Sequence, residues 1–215
     1  MTFQLIHADP HLLVLDKPAG LLAVPGRGPD KQDCLSARVQ AVHPDARVVH
    51  RLDMATSGLL LMARGAEVQR TLGLAFAERR VDKRYVALVA GAMAPPQTPD
   101  GWGLIDLPLI VDWPNRPRSK VDFGIGKPSQ TRWRVLARSD LPGLGPATRL
   151  ELAPLTGRSH QLRVHLLALG HPILGDDLYG PPDQAASRLH LHASELLFVH
   201  PVSGDTLRFA SPAPF

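Results

Sequence analysis

Short apolar runs, each ended by proline or glycine, restrict the fold of this chain more than any other feature. The 215 residues include 21 prolines and 18 glycines, which break regular elements and favour turns. Runs of strand length such as "HLLVLDK", "GLLLMAR" and "KRYVALVAG" lie between these breaks. Most of the runs follow one another without an intervening helix, a pattern typical of antiparallel pairing. The sequence therefore predicts an α+β fold with a central mixed, mostly antiparallel sheet, flanked by helices and loops.

Individual elements follow from the same patterns. Helical spacing of apolar residues predicts helices over 67–80 and 159–169, and a shorter helix over 33–43 capped by Asp33. Strands are expected over 46–53 and 104–110, and a basic loop is expected over 112–120. The Pro-rich stretch 92–103 is expected to be a loop between strands.

Size and composition fit one globular unit that binds a polyanion. A chain with 44% hydrophobic residues can bury a sizeable core, either as one large domain or as two closely packed lobes, and we expect a single domain over 1–215. The net charge is +4, and only five of the 24 basic residues are lysines. Arginine favours bidentate phosphate contacts. A single cysteine, Cys34, excludes an intramolecular disulfide. With no signal peptide or membrane-spanning run in view, a cytoplasmic location is expected.

The segment "HRLDMATSGLLLMA", residues 50–63, places a carboxylate beside an apolar run. Burying a charge costs free energy unless it is paired or used in chemistry. Asp53 is therefore a candidate nucleophile or base, with Arg51 as a neighbouring cation. The alternative is a structural Asp53 that caps the polar turn at Thr56–Gly58.

A second segment, "GRSHQLRVHLLALGHPILGDDLYG", covers residues 157–180. Arg158 precedes the predicted helix, while His160 and Arg163 are three residues apart and are expected on one helical face. An arginine beside Asp53 would keep that carboxylate ionised. A phosphate-binding surface, with a solvated face as the alternative, is predicted from the densest basic region, which comprises Arg132, Arg134 and Arg138 together with Arg116, Arg118 and Lys120.

Metal chemistry is the other alternative for the polar residues. The chain has ten histidines and an Asp176–Asp177 pair, and His190 and His192 share one face of a predicted strand. No His-Glu-x-x-His pattern is present. We therefore predict no metal, and keep a metal-dependent hydrolase as a rival that EDTA would inhibit.

The two long segments resemble the signature motifs of RluA-type pseudouridine synthases, and "KRYVALVAG" resembles the motif that carries the family's tyrosine. The stretches "VPGR" and "LPLIVDWPNRPRSKV" resemble the dual-specificity branch of that family. The resemblance runs from about His11 to the C-terminus. It implies the family's catalytic fold, with an active-site cleft across the sheet, and conversion of uridine to pseudouridine without a cofactor.

The resemblance also implies residue roles. Asp53 matches the catalytic aspartate, Tyr85 the tyrosine that packs on uracil, and Arg163 the arginine that pairs with the aspartate. Arg51 matches the arginine that fills the gap left by the flipped base. The residues expected to bind substrate are Arg51, His50, Arg158, His160, Leu162, Arg116 and Arg118.

The resemblance further implies two RNA partners, a hairpin loop of 23S ribosomal RNA and the anticodon stem-loop of transfer RNAs. We expect the enzyme to act as a monomer. Many family members carry an N-terminal S4 RNA-binding domain, which has no room before His11. The loop 92–103 is longer and richer in proline than that branch leads us to expect. A catalytically silent RNA-binding module is the alternative function.

Overall fold

The computed structural model describes residues 3–181 and 186–215. The chain divides into two compact units, the first formed by Met1–Lys83 with His192–Pro214 and the second by Arg84–Leu191 with Phe215. The single catalytic domain over 1–215 stays a prediction. Within the described residues, no helix has the length and hydropathy needed to cross a membrane.

The described residues form twelve strands and three α-helices. The strands are β1 (Gln4–Ala8), β2 (Leu12–Lys17), β3 (Ala46–Val48), β4 (Ser57–Arg64), β5 (Asp82–Ala90), β6 (Gly103–Asp106), β7 (Leu109–Val111), β8 (Ser119–Val121), β9 (Gln130–Leu141), β10 (Gly145–Pro154), β11 (Leu191–Val199) and β12 (Thr206–Ala210). The helices are α1 (Leu35–Gln40), α2 (Ala66–Ala77) and α3 (Gln161–Ala168).

The first unit is organised around β4, whose residues from Ser57 to Ala63 are all buried. The strand order is β1-β2-β4-β11, with β3 also paired to β4 and β12 to β11. Only β11 runs parallel to β4, and the other pairings described in this unit are antiparallel. Helix α2 packs Val68, Leu72 and Ala75 into the apolar cluster beneath the sheet, as its helical spacing predicts.

The second unit contains the antiparallel order β5-β10-β9-β6 and a separate two-stranded hairpin, β7-β8. The single strand predicted over 104–110 is wrong, because the chain forms β6 and β7 on either side of Pro108. Proline has no N–H for a strand ladder, which explains the interruption. Mostly antiparallel pairing in both units, with few helices, confirms the predicted α+β class.

Two predicted boundaries are also wrong. Helix α1 is capped by Cys34, whose Sγ accepts a hydrogen bond from Ala37 N, while Asp33 pairs with Arg38. The strand predicted over 46–53 ends at Val48, so residues 49–56 form a loop that leads into β4. This loop carries Asp53.

Candidate active site

Asp53 lies half-buried in the loop between β3 and β4. Its carbonyl oxygen accepts a hydrogen bond from Thr56 N at 3.2 Å, which closes the turn. Leu52 and Thr56 are buried on one side of the loop, whereas Arg51 and Met54 are exposed. The turn lies over Asp53–Thr56, so the polar turn predicted over Thr56–Gly58 is wrong, because Ser57 and Gly58 already belong to β4.

Lys17, at the end of β2, anchors this loop by hydrogen bonds to its backbone. Its fully buried ammonium donates hydrogen bonds to the carbonyl oxygens of Pro18, Leu21 and Met54, at 2.9, 2.7 and 3.0 Å. Gly20 N donates to the Met54 carbonyl as well. Three carbonyls match the three donors of an ammonium group, so Lys17 holds the residue next to Asp53 in place. In the sequence, Lys17 ends an apolar strand and is followed by Pro-Ala-Gly. That pattern predicts only an ordinary turn and does not indicate the role of Lys17.

His50 holds the other side of the loop. Its Nε2 accepts a hydrogen bond from Leu61 N at 2.9 Å, and its ring stacks on Phe76 with centroids 4.4 Å apart. Burial, with a smaller contribution from the positive charge of Lys83, lowers the pKa of His50 to about 3. A neutral His50 is therefore a fixed acceptor between the loop and β4, while the substrate contact predicted for it stays a prediction.

A buried polar chain lies under the start of β4. The Ser57 hydroxyl is 2.9 Å from Nδ1 of His192, whose Nε2 is 3.1 Å from the Ser211 hydroxyl. Ser211 in turn donates to the Asp16 carboxylate. Because the Ser211 hydrogen goes to Asp16, its oxygen accepts from Nε2–H of His192, and Nδ1 then accepts from Ser57. His192 thus has a packing role within this hydrogen-bonded chain. Ordinary packing was the alternative to metal binding for this strand histidine.

Gly58 makes that packing possible. It has a φ of 109°, and a Cβ at this position would lie 2.3 Å from the carbonyl oxygen of Ala193 on β11. Only glycine allows the parallel strands β4 and β11 to approach this closely. The glycine after Thr56-Ser57 therefore has a tertiary cause, the close approach of β11, and is not part of the turn.

Tyr85 lies in the second unit, on β5. It is half-buried and stands opposite Leu152 of β10 in the antiparallel register. This places the tyrosine of "KRYVALVAG" on a sheet strand, as predicted, while its catalytic role stays a prediction.

Arg163, in α3, is buried and held by a carboxylate that sequence reasoning had considered only for metal binding. Its Nε and Nη2 donate to Oδ2 and Oδ1 of Asp176 at 2.7 and 2.6 Å, and Nη2 lies 3.2 Å from Oδ1 of Asp177. The guanidinium carbon is 5.2 Å from the centre of the Tyr179 ring. Asp176 therefore positions Arg163, whereas the pairing of Arg163 with Asp53 stays a prediction.

The Asp176 carboxylate accepts hydrogen bonds from four N–H donors. Besides Arg163, its Oδ1 accepts hydrogen bonds from the backbone N–H groups of Leu178 and Tyr179, both at 3.0 Å. Both partners of the ion pair are almost inaccessible to solvent. A buried carboxylate with these donors has a structural explanation without a metal, and the described residues contain no cluster of His, Cys, Asp and Glu suited to a metal ion.

His160 does not belong to the helix, so the shared helical face predicted with Arg163 is wrong. It precedes α3 in the left-handed conformation, with φ of 55°. Its Nδ1 is 2.8 Å from the Tyr179 hydroxyl, which also accepts a hydrogen bond from Ser119 N at 2.7 Å. Leu162, the second residue of α3, is buried. A left-handed non-glycine residue costs about 1–3 kcal/mol and persists where its surroundings hold it.

Arg158 is exposed, and the loop behind it is held by Gln161. The Gln161 amide oxygen accepts from Arg158 N and from the Thr156 hydroxyl, and its NH2 group donates to Gln130 O and to the Thr131 hydroxyl. All four hydrogen-bonding positions of this buried amide are thus used. Arg158 consequently projects from a rigid loop.

Arg116 and Arg118 are exposed in the loop of the β7-β8 hairpin. The Arg116 guanidinium carbon lies 4.3 Å from the centre of the Trp113 ring, and Arg118 N donates to Asn115 O. The predicted basic loop is therefore present, and a short 3-10 turn over Trp113–Asn115 shapes it.

The candidate residues thus fall into two groups, one in each unit. The first unit brings together Asp53, Arg51 and His50, and the second carries Tyr85 and the remaining predicted residues. Within the second unit, hydrogen bonds through Tyr179 and Asp176 connect His160 with Arg163. The hydrogen-bonding roles of Asp176, His192 and Tyr179 had no local sequence signal.

Comparison with known proteins connects this geometry to a family. The model of the RNA pseudouridylate synthase family matches residues 11–168. The chain is 49% identical over 212 residues to the dual-specificity RNA pseudouridine synthase RluA of Yersinia pestis, covering 98% of each chain. It is 47% identical over 213 residues to the protein of that name from Escherichia coli K12, covering 98% of this chain and 93% of that protein.

Solved structures agree with the sequence comparison. Human RNA pseudouridylate synthase domain containing 1 superposes with a TM-score of 0.79 and 30% identity, over 100% of this chain and 84% of that chain. Human RNA pseudouridylate synthase domain containing 4 superposes with a TM-score of 0.73 and 25% identity, over 98% and 88%. The predicted catalytic fold and family resemblance are confirmed, and the chain belongs to the RNA pseudouridylate synthase family.

Proposed function

We propose that this enzyme isomerises uridine to pseudouridine in two RNA classes, a hairpin loop of 23S ribosomal RNA and the anticodon stem-loop of transfer RNAs. The observation that carries the proposal is 47–49% identity over nearly the whole chain to enzymes named dual-specificity RNA pseudouridine synthases. The net positive charge and the exposed arginines support a polyanionic substrate.

Asp53 is the proposed catalytic carboxylate. It attacks either the ribose C1′ or the uracil C6, or starts a glycal route; these alternatives stay open. In each case the N1–C1′ bond breaks, the uracil turns, and a C5–C1′ bond forms. N1 gains a proton and C5 loses one, so no oxidant, reductant or cofactor is needed. The anchoring of the loop by Lys17 and His50 supports this role, because a nucleophile benefits from fixed geometry.

The proposed partners of Asp53 are Arg163, which keeps it ionised, and Tyr85, which packs on the uracil and acts as a base. Arg51 occupies the gap that the flipped nucleotide leaves. Flipping costs a few kcal/mol of stacking and pairing, and a guanidinium offsets part of this by stacking and hydrogen bonding. The exposure of Arg51, two residues before the half-buried Asp53, supports that role.

The remaining predicted residues are proposed to hold the RNA around the target. Arg116, Arg118 and Arg158 are exposed cations suited to phosphates. His160 is proposed to contact the nucleotide beside Arg163. Leu162 is proposed to help exclude water, which would otherwise capture the sugar before the uracil rejoins it.

Release of tritium from RNA made with 5-tritiated uridine tests the chemistry, because joining C5 to the sugar expels the C5 hydrogen. We expect release from both a transfer RNA anticodon stem-loop and the ribosomal hairpin. Asp53→Asn should abolish release and leave RNA binding intact, whereas Asp30→Asn, at an exposed carboxylate, should behave as wild type.

Three other results would change the proposal. Release from one RNA alone would narrow the specificity. Retained release by Asp53→Asn would refute its assignment as the nucleophile. Tight binding without release from either RNA would favour the silent RNA-binding module.

We also propose that the enzyme acts as a cytoplasmic monomer, because its proposed RNA substrates are cytoplasmic and each carries a single target region. Light scattering of the free protein and of its RNA complex measures the stoichiometry. A 2:1 complex, or recovery of the protein outside the cytoplasmic fraction, would contradict this part.

A further inference from the structure

The most exposed large apolar side chains of the described residues cluster in one short segment. Phe123 is 80% exposed, Ile125 71% and Trp113 63%. All three lie in residues 109–127, which comprise β7, its loop, β8 and the turn after it, and which we call the 109–127 hairpin. Large exposed apolar groups close together are typical of interaction sites in soluble proteins.

The turn that carries Phe123 and Ile125 is well ordered by hydrogen bonds. Oδ1 of Asp122 accepts from Gly124 N and Ile125 N, at 3.0 and 3.1 Å. Gly126 N donates to Asp122 O, and a Cβ on Gly126 would lie 2.2 Å from that oxygen. These backbone hydrogen bonds lower the pKa of the Asp122 carboxyl, so it stays ionised. The fold therefore holds the backbone of both residues in a defined turn, which reduces the entropy lost on binding.

The charges of the hairpin favour a nucleic acid over an apolar protein surface. Residues 109–127 contain four cations and two carboxylates. The cations are Arg116, Arg118, Lys120 and Lys127. Asp112 accepts a hydrogen bond from Asn115, and Asp122 is used by its own turn. The centres of protein–protein interfaces are depleted of charged residues, whereas single-stranded RNA combines phosphates with unstacked bases.

The hairpin is tied to the helix that carries Arg163. Ser119 N, in β8, donates to the Tyr179 hydroxyl, which also contacts His160 at the start of α3. Tyr179 N donates to Asp176, the partner of Arg163. A nucleotide held on the 109–127 hairpin is therefore at a set position relative to Arg163.

We propose that Phe123 and Ile125 form a stacking platform for unpaired nucleotides next to the target uridine, while the four cations of the hairpin bind the adjoining phosphates. This inference rests on the proposed function, since it assigns a further part of the substrate RNA to a second surface. Stacking on an aromatic ring is tolerant of base identity, which suits an enzyme that accepts two RNA classes.

The test separates stacking from phosphate binding by salt dependence. RNA affinity is measured by fluorescence anisotropy from low to high salt, for the anticodon stem-loop and for a fully paired duplex of equal length. Phe123→Ala/Ile125→Ala should lower affinity for the stem-loop about tenfold at every salt concentration, as expected for loss of a stacked base. Its salt slope should not change, and neither should its affinity for the duplex.

Two further variants provide the comparison. Arg116→Gln/Arg118→Gln should flatten the salt slope for both RNAs. Leu74→Ala/Val202→Ala, at apolar side chains that are 52% and 60% exposed elsewhere, should match wild type. Phe123→Trp should keep stem-loop affinity, whereas Phe123→Leu, which retains apolar area but no ring, should lose it.

The outcomes separate this inference from the proposed function. If wild type releases tritium and the Phe123/Ile125 variant binds the stem-loop as tightly as wild type, the platform is overturned and the proposed function stands. If the variant loses affinity for stem-loop and duplex equally, stacking of unpaired bases is refuted. If wild type releases no tritium, the proposed function fails, whichever result the binding measurements give.

Discussion

Removing the negative charge of Asp176 should destabilise the enzyme strongly, because Arg163 would lose its fully buried anionic partner and the two charged hydrogen bonds between them. The side chains of Arg163 and Asp176 are 3% and 1% exposed and share two hydrogen bonds of 2.7 and 2.6 Å. Breaking a buried pair from one side costs about 3–5 kcal/mol. In Asp176→Asn the new NH2 group would also face donors, since all four groups around the carboxylate are N–H groups.

Asp177→Asn is the matched control. Its carboxylate also contacts Arg163, at 3.2 Å, but its side chain is 69% exposed. Pairs with an exposed partner contribute about 0–1 kcal/mol. The two neighbouring aspartates therefore differ in solvent exposure and share the same arginine.

Urea unfolding followed by circular dichroism measures the difference. With a slope of about 2–3 kcal/mol per molar urea, Asp176→Asn should lower the midpoint by about 1–2 M, and Asp177→Asn by less than about 0.5 M. Replacing both partners, in Arg163→Met/Asp176→Leu, should recover much of the stability, since no buried charge remains. That double variant should still lack tritium release.

Equal midpoints for the two single variants would refute the reasoning, because burial would then not decide the energy of the pair. A double variant no more stable than Asp176→Asn would also contradict it, by showing that hydrogen bonds to Leu178 and Tyr179 dominate.

Three further predictions concern His50, Gly58 and Tyr85. The pKa of His50 is lowered to about 3 in the folded enzyme, so as pH falls from about 6.5 the unfolded state binds a proton first and the free energy of unfolding decreases. His50→Gln should reduce the slope of the free energy of unfolding against pH by up to about 1.4 kcal/mol per pH unit. An unchanged slope between about pH 6.5 and 4 would count against this reasoning. Gly58→Ala should destabilise far more than Gly65→Ala, as measured by thermal unfolding, since both have positive φ but only Gly58 would clash with Ala193; equal losses would mean that conformation alone matters. Tyr85→Phe should bind RNA normally and lose tritium release; normal rates would leave Tyr85 a packing role.

The sequence predicted those features that depend on neighbours along the chain. The apolar run Leu59–Met62 is a buried strand, and helix α2 has the apolar spacing of Val68, Leu72 and Ala75. The segments 50–63 and 157–180, together with "KRYVALVAG", were sufficient to recognise the family, because such similarity is a property of consecutive residues. The boundaries were less certain: Cys34 replaces Asp33 as a cap, and β3 ends at Val48, because competing hydrogen bonds decide where an element stops.

Only the tertiary structure decided how the site residues are held. Arg163 and Asp176 are thirteen positions apart, Lys17 and Met54 thirty-seven, and Ser57 and His192 one hundred and thirty-five. Neither a hydrophobic period nor a local motif specifies such pairs. The two groups of a pair become partners only when packing buries them close together, because a buried polar group needs a hydrogen-bond partner. The sequence by itself determined the fold class, the family and the position of Asp53. The partners that hold the surrounding residues in place depend on which buried polar groups the folded chain brings within hydrogen-bonding distance.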